Sequence, residues 1–196
     1  MLVLLESGTN RVIYRKFVQT ENRQEYQSAI ESVCTRGYKI DGLVSDGMRW
    51  LFSSYTDVPK QMCQFHMKQI IRRRLTSKPK NKPSQELWRL TMDMERLGEQ
   101  EFNKRFGDWA AKWSKYLNER SLHQGDKRRY KHRRLRSAVN SLKFFLPYLF
   151  TYEKHPDIPS TNNRIEGFFS NLKDILAHHR GMSESSRNRL IDYYIS

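Results

Sequence analysis

The sequence has little of what secreted and membrane proteins need. Two cysteines among 196 residues cannot supply a framework of several disulfides, and this low usage is typical of a reducing compartment. No stretch approaches the roughly 20 apolar residues that cross a bilayer, and the apolar start, residues 1–5, is too short for the core of a signal peptide. We therefore expect a cytoplasmic protein without a membrane partner.

Acidic residues are also few, and they are unevenly distributed. The chain has 36 lysine and arginine residues against 21 aspartate and glutamate residues, which gives a formal net charge of +15. The span from residue 68 to residue 143 holds 22 of the basic residues and 8 of the acidic ones, so its net charge is +14. A basic body of this kind indicates an anionic partner.

Two basic clusters dominate that span. The denser one has seven cations in ten residues and no acid: Lys127, Arg128, Arg129, Lys131, Arg133, Arg134 and Arg136. The other consists of Arg72, Arg73 and Arg74, followed by Lys78, Lys80 and Lys82. The alternative to a binding surface is a solvated helix face, but neighbouring cations repel one another without a counter-charge. We therefore predict salt-sensitive, largely sequence-independent contacts with DNA phosphates.

The pattern of apolar residues predicts an α/β protein with a helical insertion. Residues 2–5 and 12–18 are predicted strands, and residues 20–36 are a predicted amphipathic helix. The apolar face of that helix is formed by Tyr26, Ala29, Ile30 and Val33. Further helices are predicted at residues 85–97, 101–122 and 130–148. A small core of their own would be formed by Trp88, Phe102, Phe106, Trp109 and Trp113.

A short predicted strand at residues 40–45 ends at Asp46-Gly47. Ligand and metal sites of α/β sheets gather at the carboxyl ends of strands, which makes Asp46 a candidate functional residue. The alternative is a simple turn, because Asp-Gly is a common turn dipeptide.

Cys63 and His66 follow, with the spacing of half a zinc site. A structural zinc ion needs four ligands, whereas the only other cysteine, Cys34, lies on a predicted helix. His178 and His179 are remote in sequence. We therefore favour a structural pair that supports the active-site side of the sheet.

The second candidate carboxylate is Glu166, on the opening turns of a predicted helix. Pro159 and Ser160 or Thr161 mark the start of that helix. Its apolar stripe consists of Ile165, Phe168, Phe169, Leu172 and Leu176, at the spacing of a buried helix face. Glu166 is next to the stripe, so it is either a solvated edge residue or part of an acidic site that faces a sheet.

Taken in order, these segments resemble the transposases of bacterial insertion sequences in the Mutator-like superfamily. The family's motifs are a strand ending in Asp-Gly, a Cys-x-x-His motif further along, and a distant Asn-Asn-x-Ile/Leu-Glu-Gly helix. This chain matches them with Asp46-Gly47, with Cys63 and His66, and with the segment from Asn162-Asn163 to Glu166-Gly167. The tail from His178 to Ser183 is also similar to the family's ending, so the resemblance covers nearly the whole chain.

The resemblance implies an incomplete RNase H-like catalytic domain with an all-helical insertion. Residues 1–60 would form the first part of the core and residues 61–150 the basic insertion. Residues 151–196 would form the C-terminal part of the core, with the Glu166 helix. An insertion also accounts for the 120 residues that separate Asp46 from Glu166.

The resemblance further implies an Asp-Asp-Glu triad that holds two divalent ions, Mg²⁺ or Mn²⁺, and cuts and rejoins DNA. Asp46 would be the second aspartate and Glu166 the glutamate. The residues that would support the site are Cys63, His66, Asn162 and Asn163. No aspartate occurs between residues 1 and 40. We therefore expect a truncated chain, with the two-metal site formed only in the complete enzyme and no catalysis by this chain alone.

Two functions stay open on the sequence. One is a DDE transposase fragment that serves the transposition of an insertion sequence. The other is a non-catalytic DNA-binding remnant that acts through the basic insertion. Both make DNA the partner and predict association with the nucleoid. Transposases of this kind commonly act as dimers, so a homodimer is a further expectation.

Overall fold

A computed structural model describes residues 1–122 and 128–195. These residues form a mixed α/β structure that is mainly helical, which confirms the predicted α/β class. The strands are β1 (Leu2–Leu5), β2 (Val12–Lys16), β3 (Leu43–Ser45), β4 (Lys60–Met62), β5 (Arg120–Leu122) and β6 (Arg128–Tyr130). The helices are α1 (Arg23–Thr35), α2 (Arg49–Ser54), α3 (Gln64–Leu75), α4 (Lys82–Met92), α5 (Met94–Lys112), α6 (Ser114–Asn118), α7 (Arg133–Phe145), α8 (Thr151–Lys154), α9 (Asn163–His178) and α10 (Glu184–Ile195).

The chain divides into two compact units. One unit consists of Met1–Asp41 and Asn162–Ser196, and the other consists of Gly42–Thr161. The strands pair as β1 with β2, β3 with β4 and β5 with β6. The first pair belongs to the first unit and the other two pairs belong to the second.

The first unit is built on the predicted hairpin. β1 and β2 are antiparallel, with Leu2 opposite Lys16 and a register shift between Leu4 and Leu5. Helix α1 packs on this hairpin and begins at its N-cap Asn22, whose side chain accepts a hydrogen bond from the Glu25 backbone nitrogen. Three of the four residues predicted for its apolar face are buried, and the fourth, Tyr26, is half-buried.

Helices α9 and α10 pack against each other in the same unit. The Phe168 and Tyr194 rings have centroids 6.1 Å apart. Arg15 of β2 binds α10 through Asp192, with its guanidinium nitrogen 3.2 Å from the carboxylate. Of the predicted α9 stripe, Leu172 is buried and the other four members are half-buried. The stripe was therefore correct in position, but its burial is shallower than predicted.

The second unit starts with the parallel pair β3 and β4. Its register places Leu43 opposite Lys60 and Ser45 opposite Met62. Lys60 is buried in β4, and its ammonium group donates to the Phe52 carbonyl at 3.0 Å and to the Tyr55 carbonyl, at the end of α2. A buried cation is stabilised when such acceptors replace its hydration. Lys60 thereby ties α2 to the sheet.

The helical body of the second unit is formed by α3, α4, α5 and α7. Phe102 and Phe150 are both buried, with ring centroids 5.4 Å apart. Trp109 is buried and donates from its indole nitrogen to the Pro83 carbonyl at 3.1 Å. Full burial of each large apolar side chain contributes about 1.5–3 kcal/mol. Of the predicted core, Phe102, Phe106 and Trp109 are buried, whereas Trp88 and Trp113 are half-buried.

The prediction of an all-helical insertion is wrong at β5 and β6, which form an antiparallel hairpin. One predicted helix ran through Leu122 and the next began at Tyr130. Tertiary contacts override helix propensity there. The Arg120 guanidinium lies 4.6 Å from the centre of the Tyr130 ring and donates to its hydroxyl at 3.0 Å. The Arg136 guanidinium lies 3.5 Å from the same ring.

None of the helices in the described ranges combines the length and the apolar character that a bilayer-spanning helix requires.

Candidate functional site

The carboxyl ends of β3 and β4 bring together three of the predicted site residues. Asp46 directly follows β3, and Cys63 directly follows β4. The two strand ends are joined by a hydrogen bond from the Cys63 nitrogen to the Ser45 carbonyl, at 2.9 Å. His66 lies one turn further, in α3. This end of a parallel strand pair is where ligand sites of α/β proteins collect.

Gly47 fixes the direction in which the chain leaves β3. Its φ is +112°, a backbone conformation that residues other than glycine rarely adopt. A Cβ atom at this position would lie 3.2 Å from Cε of Met62 and 3.4 Å from Cδ1 of Ile70. Asp46 is exposed at this turn. The predicted strand thus ends directly before Asp46, while a functional role for Asp46 stays a prediction.

Cys63 and His66 form a close pair at the start of α3. Cys63 is the N-cap residue and is fully buried, while His66 is half-buried. The Cys63 sulfur and a ring nitrogen of His66 lie within 4.8 Å of each other. Thiolate and imidazole suit zinc and other soft or borderline metals, whereas Mg²⁺ prefers oxygen. The Asp46 carboxylate, by contrast, offers oxygen atoms, which are the ligands that Mg²⁺ prefers.

A buried amide network holds the β4–α3 junction in place. The Gln61 side chain donates to the Leu149 carbonyl at 2.9 Å and accepts from the Tyr152 nitrogen at 3.1 Å. Gln64 donates to the same carbonyl at 2.8 Å, and its backbone nitrogen donates to the Ser160 carbonyl at 3.0 Å. Both glutamines are fully buried. Buried amide hydrogen bonds rigidify their surroundings, so the bonds that Gln61 makes and the bond from Gln64 Nε2 help to position Cys63 and His66.

Glu166 belongs to the other unit, on the first turn of α9. It is half-buried, as expected for the edge of an apolar stripe. Asn162 is the N-cap residue of α9, and the exposed Asn163 is its first residue. Arg164 anchors this turn by donating to the Asn10 side chain at 3.1 Å and to the Ser7 carbonyl.

The predicted DNA-contacting residues lie on three elements of the second unit. Arg72, Arg73 and Arg74 form the last turn of α3, Arg128 and Arg129 belong to β6, and Arg133, Arg134 and Arg136 lie at the start of α7. Lys127 lies outside the described residues. Six members of the two clusters line a single cavity of about 460 Å³: Arg74, Lys78, Lys80, Lys131, Arg133 and Arg134. Two clusters that are distant in sequence therefore meet in space.

Some of these cations are engaged within the chain. Arg136 donates to the Leu117 carbonyl at 2.8 Å, in addition to its contact with Tyr130. Lys131 lies 3.4 Å from the Glu119 carboxylate. A hydrogen bond from His132 is the main cause that holds the pKa of Glu119 below its ordinary value, and a hydrogen bond from Lys131 lowers this pKa further.

Sequence reasoning missed several residues of these sites. Gln61 and Gln64 were missed because a lone glutamine carries no pattern of burial. Asn81 also lines the cavity as the N-cap of α4, and its side chain accepts from the Ser84 nitrogen at 3.0 Å. The signal for it was present, since asparagine followed by a proline within the first turn is a helix start.

Comparison of this chain with protein-family models, with curated proteins and with solved structures finds no match.

Proposed function

We propose that the chain is part of a DDE transposase and that its Asp46 and Glu166 are ligands of a two-metal site for DNA cleavage and strand transfer. The observation that carries the proposal is the end of the β3–β4 pair, where Asp46, Cys63 and His66 converge. The resemblance to Mutator-like transposases supports the proposal by making Asp46 a metal ligand of an RNase H-like core, with Cys63 and His66 as supporting residues. The matching Asn-Asn-x-Ile-Glu-Gly segment opens α9.

The donor atoms fit the proposed metals. Asp46 is an exposed carboxylate at a strand end, and Glu166 is a carboxylate on a helix start. Mg²⁺ takes one or two carboxylates and completes its shell with water and substrate phosphate. When bound, a metal pair activates the attacking oxygen and stabilises the leaving oxygen of in-line displacement at phosphorus. The proposal also requires a third carboxylate, which no aspartate of residues 1–40 supplies.

The protein's own groups have separate roles in this proposal. Asp46 and Glu166 hold the metals. The buried glutamines and Cys63 keep the β4–α3 junction rigid, which fixes the surface next to Asp46. The basic body of the second unit supplies the positive field that attracts DNA.

Manganese binding tests the shared metal site directly. We expect the electron paramagnetic resonance signal of free Mn²⁺ to decrease on addition of the chain joined to an in-frame segment that carries the first aspartate, and Asp46→Asn and Glu166→Gln each to weaken this binding by at least about tenfold. Asp41→Asn and Glu184→Gln are matched controls, because both side chains are exposed carboxylates outside the proposed ligand set. A loss with only one of the two ligand substitutions would contradict a common site.

The activity itself is tested on the chain joined to any coding segment that precedes it in frame and carries an aspartate on a strand. We expect such a protein to cleave DNA with Mg²⁺ or Mn²⁺ and to lose cleavage with Asp46→Asn. Wild-type cleavage by the Asp46→Asn protein would overturn the proposal.

A second candidate function is a DNA-binding protein without catalysis, favoured by the net charge of +14 between residues 68 and 143. It predicts DNA binding that is salt-dependent and indifferent to Asp46→Ala, Glu166→Ala and magnesium. Metal-dependent cleavage by the extended protein would exclude it.

A further inference from the structure

The cavity in the second unit has a strongly basic lining. Its charged side chains are Arg74, Lys78, Lys80, Lys131, Arg133 and Arg134, and no acidic residue of the described ranges lines it. The volume, about 460 Å³, is within the usual range of ligand pockets. A concave site lined by one sign of charge focuses its field on a ligand of the opposite sign.

Two helix N-termini add to this positive field. Helix α4 begins at the cavity with its N-cap Asn81, and helix α7 begins there with its N-cap His132. The first turn of α7 carries Arg133 and Arg134, and within the described residues its N-cap makes no side-chain hydrogen bond to the helix. The amide groups of a helix start bind anions such as phosphate.

Most of this charge is not neutralised by the protein. Within the described part of the chain, Lys78, Lys80, Arg133 and Arg134 have no ion-pair partner. Arg74 donates to the Ser137 hydroxyl, while its buried Nε atom has no hydrogen-bond partner among the described residues. A buried donor in this state is unfavourable unless an acceptor is bound.

The lining also indicates which part of a nucleic acid would bind. Among the described residues its apolar side chains are Leu75 and Leu135, and its aromatic ring, that of His132, is already stacked on Tyr116 with ring centroids 3.6 Å apart. No free aromatic face in the described lining is therefore offered to a base. Thr76, a β-branched residue with φ of +69°, also lines the cavity, and such backbone strain is common at ligand sites. The site is suited to several phosphate groups of one chain rather than to a base.

We propose that this cavity binds consecutive phosphates of a DNA backbone. The proposal rests on the proposed function for its choice of DNA as the polyanion. Residues from two separate sequence clusters then form a single binding site, at the end of α3, the start of α4 and the start of α7. Because phosphate contacts carry no direct sequence information, the cavity anchors DNA without selecting its sequence.

The test compares two triple substitutions of equal charge change in the full chain. The cavity variant is Lys78→Gln/Arg133→Gln/Arg134→Gln, and the control is Lys104→Gln/Lys115→Gln/Lys143→Gln, at exposed lysines of the same unit outside the cavity. Binding of a labelled DNA duplex is followed by fluorescence anisotropy in EDTA over a range of salt concentrations. EDTA removes metal binding from the measurement, and circular dichroism verifies that both variants are folded.

We expect the cavity variant to bind at least about tenfold more weakly and to lose about 2–3 from the slope of log K against log salt. The control is expected to stay within about threefold of wild type, because isolated surface charges act only through a screened field. Equal losses in the two variants would overturn the cavity site and leave only general attraction.

Two further arms separate the sources of phosphate. Inorganic pyrophosphate should compete with DNA for the wild-type chain and much less for the cavity variant. Vesicles of phosphatidylglycerol that bind through the cavity, in place of DNA, would overturn the assignment to DNA.

The result for the cavity can also be distinguished from the result for the proposed function. Loss of DNA binding in the cavity variant together with no metal-dependent cleavage by the extended protein would retain the cavity and reject the transposase.

Discussion

The replacement of Gly47 by alanine tests the reasoning about the Asp46 strand end most sharply. Gly47 has φ of +112°, between the strand end and α2. An alanine forced into a sparsely populated backbone region costs about 1–3 kcal/mol. The added methyl group would meet Met62 Cε at 3.2 Å, but that atom is the far end of a flexible side chain and can move. Backbone strain therefore dominates the effect.

Part of this cost is offset in the unfolded state. Replacing glycine by alanine stabilises by about 0.4–1 kcal/mol where the native backbone suits alanine, because the unfolded chain loses freedom. We therefore expect Gly47→Ala to lower the free energy of unfolding by about 1–2 kcal/mol. The matched control is Gly107→Ala, in the exposed face of α5 with no atom within 4 Å of the added carbon. Gly107→Ala should raise the free energy of unfolding by about 0.5–1 kcal/mol.

Urea unfolding followed by tryptophan fluorescence is the appropriate assay, since all four tryptophans lie in the Gly42–Thr161 unit. The signal therefore reports the unit that contains both glycines. Under the proposed function, Gly47→Ala should also weaken Mn²⁺ binding, because Asp46 is displaced with the turn. If both alanine variants gained stability equally, the positive φ at Gly47 would not be required and the argument would be refuted.

Two other predictions concern stability. A hydrogen bond from Lys112 lowers the pKa of Glu86 from 4.5. The stabilisation that the charged Glu86 contributes to the fold is therefore present above pH 4.5 and is lost as the pH falls through the lowered pKa. Urea unfolding, followed by circular dichroism at pH 6 and pH 3.5, should show that acid lowers the free energy of unfolding less for Glu86→Gln than for wild type. An equal decrease in the two proteins would contradict this. Gln61→Leu removes the acceptor of the partly buried Tyr152 nitrogen and should cost about 1–3 kcal/mol. Substitution of the half-buried Gln69 by leucine should change stability little, and equal effects would rule out the network as the cause.

The local sequence predicts much of this molecule where neighbouring residues decide the conformation. The hairpin of β1 and β2 follows from two apolar runs around Gly8-Thr9-Asn10, and both strands are found at the predicted places. Helix α1 follows from the spacing of its apolar residues and lies within the predicted residues 20–36, although it begins later than predicted, at Arg23. The Asp46-Gly47 turn follows from the backbone freedom of glycine.

The hairpin of β5 and β6 shows where local patterns fail. Arg120 and Tyr130 are compatible with helices, and the predicted helices extended into both strands. What decides the conformation is a set of side-chain contacts across the hairpin and with the start of α7, in which Arg120 and Arg136 both pack on the Tyr130 ring. A propensity worth less than about 1 kcal/mol per residue does not outweigh such contacts.

The sequence by itself determined the composition of the two basic clusters and the order of the strand, turn and helix motifs. Only the tertiary structure decided that Arg74 and Arg133 line one cavity, and that Gln61 and Gln64 share the Leu149 carbonyl. The physical reason is that charge and helix periodicity are properties of neighbouring residues, whereas a cavity and a buried hydrogen bond need partners that packing brings together from distant parts of the chain.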